Sequence, residues 1–286
     1  MASKVIYTVL TGGYDHLQQP LAIAPDWDFV CFTDAPAGND SSSPIREGIW
    51  ELRPIPYEGS AVLCARWAKM HPHILLPEYE LSVFMDANLQ IASAAFYEKV
   101  AELKSAILGN NCGTEFRAEP KLAILGDNCG TEFRLGVLPH PKRDCVWEEL
   151  RYCYLKDKIG TRAAIKWHRV LRKMRMPRHA GLYETGILVR KHNDPAVVAL
   201  DECWWSLLLK SRASRDQLCF TPALRESAVE PARLLPKGTD VRNSEIVNYA
   251  GHVDIGPHNT PGKINWANVK YNLRLLWRKT VLLCLK

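Results

Sequence analysis

The stretch SVFMDANLQI, residues 82–91, decides how this chain is read. Its first four residues are apolar or small and rich in strand formers, so they predict a buried β-strand. Asp86 and Asn88 then interrupt the run with one residue between them. In an extended strand, residues two apart point to the same side, and this spacing predicts that both side chains share a face. Hard cations such as Mg²⁺ or Mn²⁺ take oxygen ligands from carboxylates and amides, and complete their shells with water and substrate phosphates. Asp86 and Asn88 are therefore candidate metal ligands. Asp and Asn are equally ordinary turn and cap residues, so the neighbouring segments must decide between the two readings.

Two earlier strands are predicted to end in the same polar way. KVIYTVL (4–10) is β-branched and aromatic and runs into TGGYD (11–15), while DFVCFTD (28–34) closes on Thr33 and Asp34 before a Gly/Ser/Asn/Pro loop. SAVLCARWAKMHPHIL (60–75) suits a helix that ends near Pro72, with Val62, Ala65, Trp67 and Met70 on its packing side and Arg66 and Lys69 three apart on one face. A helix-like segment at 93–107 follows the opening strand. Strands alternating with helices predict an α/β domain with a mainly parallel central sheet, and in such sheets ligands bind beyond the carboxyl ends of the strands. Thr11, Gly12, Gly13, Tyr14, Asp15, Thr33, Asp34, Arg66 and Lys69 would collect there as a nucleotide-binding set. The glycines allow close backbone approach, Tyr14 can stack on a base, Asp15 or Asp34 can accept a ribose or base hydrogen bond, and the two cations suit phosphate oxygens. Neither a Walker A loop nor a G-x-G-x-x-G fingerprint is present, which counts against NTPase and dehydrogenase chemistry.

Composition narrows the class further. The 286 residues are 47% hydrophobic and 24% charged, as in ordinary globular proteins, with a formal charge of +6 that suits a phosphate-bearing ligand or an anionic surface better than nucleic acid. Nine scattered cysteines form no C-x-x-C pair, which argues against a zinc site or a disulfide framework and predicts a reducing compartment. The opening MASKVIYTVL is too short an apolar run for a signal peptide or a membrane span, so a cytoplasmic location is expected.

The second half is predicted to be richer in helix. TRAAIKWHRVLRKMRM (161–176) carries Arg162, Lys166, Arg169, Arg172, Lys173 and Arg175 against an apolar side. GILVR (186–190) reads as a buried strand with Tyr183, Glu184 and Thr185 at its entrance, and DPAVVALDECWWSLLLK as a helix opened by Asp194 and Pro195 that runs into SRDQ (214–217). The segment AILGNNCGTEFR (106–117) recurs as AILGDNCGTEFR (123–134), and two copies suit a local insertion rather than a solenoid. The last segment, KINWANVKYNLRLLWRKTVLLCLK (263–286), has an apolar stripe and a second stripe of Lys270, Arg274 and Arg278. It suits an amphipathic helix that lies on a membrane surface or docks on protein.

KVIYTVLTGGYD, DWDFVCFTD, ARWAKMHPH, SVFMDANLQI, PHPKRDCVWEE, GLYETGILVRKHND and SRDQLCF resemble, in that order, a glycosyltransferase-like domain family of bacterial polysaccharide loci and plant cell-wall proteins. The likeness spans roughly residues 4–222 and implies a GT-A (Rossmann-like) single domain, here over 1–255, followed by the basic tail 256–286. It also implies a nucleotide-diphosphate sugar donor, UDP-linked, a glycan or lipid-linked acceptor, and Mn²⁺ or Mg²⁺ at a DxD-like motif, with MDAN in the DxD place and Asn88 instead of a second Asp. Under this resemblance Glu184 and Asp216 are the candidate catalytic acids, His252 (or Asn248) the further metal ligand, and His140, Arg143, Asp144 and Gln217 the contacts to donor or acceptor sugar. A peripheral contact at the inner membrane face through 263–286 completes the expectation. Two other classes stay open: a non-catalytic nucleotide-sugar or glycan-binding module, favoured by Asn88, and a metal-dependent phosphoesterase, disfavoured by the thin carboxylate set.

Overall fold

The computed structural model describes residues 3–13, 15–34, 44–105, 133–211, 215–236, 238–251, 274 and 276–281. In chain order the elements are β1 (Lys4–Leu10), β2 (Trp27–Thr33), β3 (Arg46–Glu47), β4 (Trp50–Pro54), α1 (Ala61–Met70), α2 (Pro72–Leu75), β5 (Leu81–Met85), β6 (Leu89–Ile91) and α3 (Ala95–Ser105). Then come β7 (Leu135–Pro139), α4 (Val146–Leu155), α5 (Thr161–Lys173), β8 (Tyr183–Arg190), α6 (Pro195–Ser211), α7 (Gln217–Ser227), β9 (Ala232–Arg233) and β10 (Val247–Tyr249).

Eight strands form one sheet in the order β3-β4-β2-β1-β5-β8-β7-β9. β4, β2, β1, β5, β7 and β9 run one way, and only β3 and β8 run against them. The result is a mixed α/β fold around a large, mostly parallel sheet, as the alternation of strands and helices predicts. All five residues of β5 are buried, because both sheet faces are covered and a strand between two apolar layers has no polar side. One layer joins Tyr7, Phe84 and Leu188 to Trp167, Trp204 and Phe220 of α5, α6 and α7; the other joins Ile6, Val83 and Val189 to Phe96 and Val100 of α3.

Three local readings change. α1 does end before Pro72, and Met70 and Trp67 pack inward as expected, but Val62 is exposed, whereas Lys69 is 2% exposed. The ammonium is accepted inside because the buried Asp216 faces it, a tertiary pairing that helical period cannot show. β8 begins at Tyr183, three residues earlier than the apolar run suggests, and because it is antiparallel its first residues lie at the edge where β5 ends. The segment after Asp194 is two helices, α6 and α7, with Asp216 immediately before the second. Asp194 does accept from the Ala196 N–H (2.8 Å), as expected of a helix-opening residue.

Most of the duplicated segment, all of 106–132, lies outside the described residues, as does the boundary at 255/256. The described part of the tail is helical at 274 and 276–281. There Arg278 is buried and donates to the carbonyls of Tyr154 and Ile159 and to Asp157, while Arg274 lies 3.7 Å from the other Asp157 oxygen. Two of the three cations of the tail's basic stripe thus dock on the loop between α4 and α5. No helix among the described residues is long and apolar enough to cross a membrane.

Candidate functional site

The site begins where β5 stops. The Leu89 N–H donates to the Asp86 carbonyl (2.9 Å), closing a four-residue turn, and the Ala250 N–H donates to the Asn88 carbonyl (2.9 Å). The chain is therefore not extended through Asp86 and Asn88, and the expectation of a shared face fails. The Asp86 carboxylate is 43% exposed, whereas Asn88 is buried at 4%. The turn gives the sheet edge one accessible carboxylate, not a matched pair.

β8 supplies the facing wall. Its register against β7 shifts by three residues, from Val137 opposite Leu188 to Leu138 opposite Glu184, so Thr185, Gly186 and Ile187 bulge away from β7. The bulge brings Gly186 against the turn: its carbonyl accepts from the Asp86 N–H (2.9 Å), and a Cβ added there would stand 3.0 Å from an Asp86 carboxylate oxygen. A side chain at this position would press on the Asp86 carboxylate, and glycine leaves the approach clear.

Lys69 ties the walls together. Its Nζ donates to Asp216 Oδ2 (2.7 Å) and Thr185 Oγ1 (3.1 Å), lies 3.8 Å from Asp86 Oδ1, and sits 4.7 Å over the Phe84 ring. The Lys69 backbone is held as firmly, since its carbonyl accepts from the Tyr7 hydroxyl (2.9 Å) and from Arg190 (2.8 Å), which in turn reaches both oxygens of the fully buried Asp201 (2.9 Å each). Arg66, one turn earlier, places Nε 3.6 Å from Asp216 Oδ1, and that Nε is buried with no hydrogen-bond partner. Burial acts most strongly on Asp216 and would raise its pKa, but Arg66 and Lys69 overcome it and hold the carboxyl well below the usual range. Asp216 is thus a fixed anion that aims two cations.

Glu184 behaves in the opposite way. One carboxylate oxygen pairs with Arg242 (3.1 Å), and the other, Oε2, is buried with no partner. Burial pushes its pKa up, Arg242 opposes the shift, and the nearby charges of Asp240 and Asp86 reinforce it. Arg242 comes from the segment before β10; it also lies 3.5 Å from Asp240 and 5.3 Å over the Tyr249 ring. β10 pairs with β6, opposing Asn248 to Gln90, and the Asn248 amide donates to Gln90 Oε1 (3.0 Å). Asn248 is thus held by its amide N–H in a cross-strand pair on β10, which follows the segment that carries Arg242.

The first loop closes the edge. Thr11 donates to the Ala61 carbonyl (2.9 Å), the Gly12 N–H donates to Asp34 (2.8 Å), and Gly12 and Gly13 take positive φ values of 64° and 62°. One Asp34 oxygen thus helps to shape the loop through Gly12, and the residue stays exposed. Asp15 and Thr33 are half-buried, the latter accepting from the Ile55 N–H at its carbonyl (3.2 Å). Tyr14 and His252 lie outside the described residues.

The expected sugar contacts divide. Gln217 borders the site, donating to the Tyr183 carbonyl (2.9 Å). Arg143 is committed to the buried Glu149 (2.6 Å) and to the Tyr152 ring (4.0 Å), His140 accepts at Nδ1 from the backbone of Lys142 and Arg143, and Asp144 pairs with His179 at the surface (2.7 Å). These three shape the loop before α4, and no described contact joins them to Asp86, Lys69 or Asp216. The sequence reading missed Arg242, Asp240 and the Arg190–Asp201 pair, and no local pattern marks them.

Asp86 is the group at the edge that could hold a cation. Among the described residues no cluster of three His, Cys, Asp or Glu is arranged around a metal. One accessible carboxylate still fits Mg²⁺ or Mn²⁺, which commonly use one or two carboxylates together with water and substrate phosphates.

No family model matches the chain, and no curated protein does. Among solved structures, the apo form of mouse xyloside xylosyltransferase 1 is similar at 10% identity, covering 77% of this chain and 81% of that one with a TM-score of 0.38. The apo structure of the WbbM bifunctional glycosyltransferase is similar at 12% identity and a TM-score of 0.37, covering 81% of this chain. This chain spans 38% of the length of WbbM.

Proposed function

We propose that this chain is a glycosyltransferase that moves a sugar from a UDP-linked donor to a hydroxyl of a glycan or glycolipid in surface polysaccharide biosynthesis. The observation that carries the reading is the meeting, at one sheet edge, of the glycine loop after β1, Asp86 after β5, and the Arg66–Lys69–Asp216 cluster. A phosphate-binding loop, a metal-compatible carboxylate and two aimed cations are what a departing diphosphate needs. The order of motifs from residue 4 to 222 points the same way.

Each residue then has a task. Gly12 and Gly13 let the donor approach the backbone, and Arg66, whose side chain is partly exposed while its Nε faces Asp216, meets diphosphate oxygens. Asp216, ionised and doubly paired, orients Arg66 and Lys69 and is too weak a base to take a proton. Glu184, with its raised pKa, is the better proton acceptor for the incoming hydroxyl. Asp86 would hold Mn²⁺ or Mg²⁺ jointly with the donor, and the metal would neutralise charge on the leaving diphosphate. The single accessible carboxylate also favours a second reading, a binding module on the same fold that holds donor without turning it over.

A thermal-shift series with UDP and UDP-sugars, with and without Mn²⁺, followed by donor hydrolysis on wild type and Asp86→Ala, separates the two. Metal-dependent stabilisation with turnover lost in Asp86→Ala is the expected result. Stabilisation without turnover, even with glycan acceptors supplied, supports the binding module, and no stabilisation by any nucleotide defeats both.

A further inference from the structure

α5 has two sides of opposite character. Ala164, Trp167 and Leu171 are buried against α4, α6 and α7, while Arg162, Lys166, Arg169, Arg172 and Lys173 are all exposed. Spacings of four, three and four put Arg162, Lys166, Arg169 and Lys173 in one band along the helix, about 16 Å long at 1.5 Å per residue. None of the five forms an ion pair with a described acid. Solvated helix faces usually mix signs, because like charges three and four residues apart repel. A band of one sign keeps that repulsion and calls for an external anion.

A second observation lies at the same end of the helix. The C-terminal helical residues are pinned by Arg278 to the Tyr154 and Ile159 carbonyls, on the loop that leads into α5. With Arg278 turned inward and Val281 packed on the core, Leu276 and Trp277 are left 64% and 63% exposed. Asp157, the acid of that loop, is taken up by Arg274 and Arg278, and Lys156 and Lys158 beside it are exposed. An exposed cationic band, and an exposed aliphatic and indole pair on a helix pinned to the residues that precede that band, match the interface of a bilayer, where cations meet headgroup phosphates and Trp and Leu enter the acyl boundary.

We propose that the outer face of α5, with Leu276 and Trp277, docks this protein on an anionic phospholipid surface. The inference is independent of sugar transfer, since none of these residues belongs to the site at the sheet edge.

The test uses the full chain and sedimentation with vesicles of phosphatidylcholine alone or of equimolar phosphatidylcholine and phosphatidylglycerol. Wild type is expected to sediment with the anionic vesicles only, and to be released by high salt. Lys166→Glu/Arg169→Glu is expected to weaken binding by more than about tenfold, and Trp277→Ala by a few fold. Lys210→Glu/Arg225→Glu changes net charge by the same amount on exposed residues of α6 and α7, and should bind as wild type does. If the reversed α5 variant proves unfolded by its thermal transition, Lys166→Gln/Arg169→Gln replaces it. Equal binding to both vesicle types, or equal loss in the α5 and control variants, overturns the proposal. So does an oligonucleotide that binds as tightly as the anionic vesicles and displaces them, because the face would then be a general polyanion site.

Discussion

The cations of α1 and of α5 obey opposite rules. Lys69 and Arg66 of α1, with Arg190 beneath them, each face an acid on another element: Asp216, far along the chain, for the first two, and Asp201 of α6 for the third. The α5 cations lie in water with no described acid opposite them. A buried charge is tolerated only when paired and hydrogen-bonded, so each inner cation is fixed in one place and can be aimed. An exposed band cannot be aimed, but its field adds up over the whole face. The inner set suits recognition of one bound phosphate group, and the outer set suits a surface.

The largest test of this contrast is to break the inner pairing. Arg190→Met leaves Asp201 buried without its partner and is expected to destabilise the fold by about 3–5 kcal/mol in urea unfolding. Burial already outweighs Arg190 at Asp201, whose pKa is raised in spite of the bidentate contact, so the pair is not a strong net source of stability. Replacing both, as Arg190→Met/Asp201→Leu, is therefore expected to restore stability to within about 1–2 kcal/mol of wild type. Because the Lys69 carbonyl would lose the Arg190 contact, that folded double variant should still lose donor turnover. Normal kinetics in it would show that Lys69 needs no such support.

Next in size is the charge of Asp216. Its pKa is depressed in the folded chain, so its contribution is fully present above the ordinary value of 3.8 and is lost as pH falls through the folded value. At pH 7 Asp216→Asn should unfold more easily than wild type, by about 3 kcal/mol or more, since Lys69 is left buried beside a neutral amide. The gap should close steadily below pH 3.8. A gap that stays constant with pH would mean that the carboxylate acts by shape and not by charge.

Arg242 stands between the two regimes, half-exposed yet paired with Glu184. Since Arg242 lowers the Glu184 pKa against burial, Arg242→Ala should move the acidic limb of the donor-hydrolysis profile to higher pH, and Arg242→Lys should largely restore it. Glu184→Gln should remove that limb and cost about 10²-fold or more in turnover. An unmoved limb in Arg242→Ala would assign the titration to another group.

These contrasts also explain what the sequence could reveal. The buried strands were legible because KVIYTVL and SVFM are apolar on both faces, which only a covered sheet permits. The edge loops were legible because glycines and acids end those runs. The burial of Lys69 was not, because its partner Asp216 lies 147 residues away, and Glu184 meets Arg242 across 58 residues with no local pattern linking them. Asp86 and Asn88 were legible as a polar pair but not as a turn, since only the bond from Leu89 to the Asp86 carbonyl distinguishes the two. Spacing along the chain gives side-chain direction only while the backbone stays regular.

The smallest effect is the one that separates a repelling band from an ordinary solvated face. Arg169 has Lys166 three residues before it, and Arg172 and Lys173 three and four residues after it, all exposed. Arg169→Gln removes repulsion without uncovering any apolar core, so it should stabilise the free protein slightly, by about 0.2–0.5 kcal/mol at low salt. The gain should vanish at high ionic strength, where exposed charges no longer interact beyond a few ångströms. Thermal unfolding of wild type and Arg169→Gln at two salt concentrations measures it. A destabilised variant at low salt would mean that an acid outside the described residues already neutralises this face, and the outer band would then resemble the paired cations of α1.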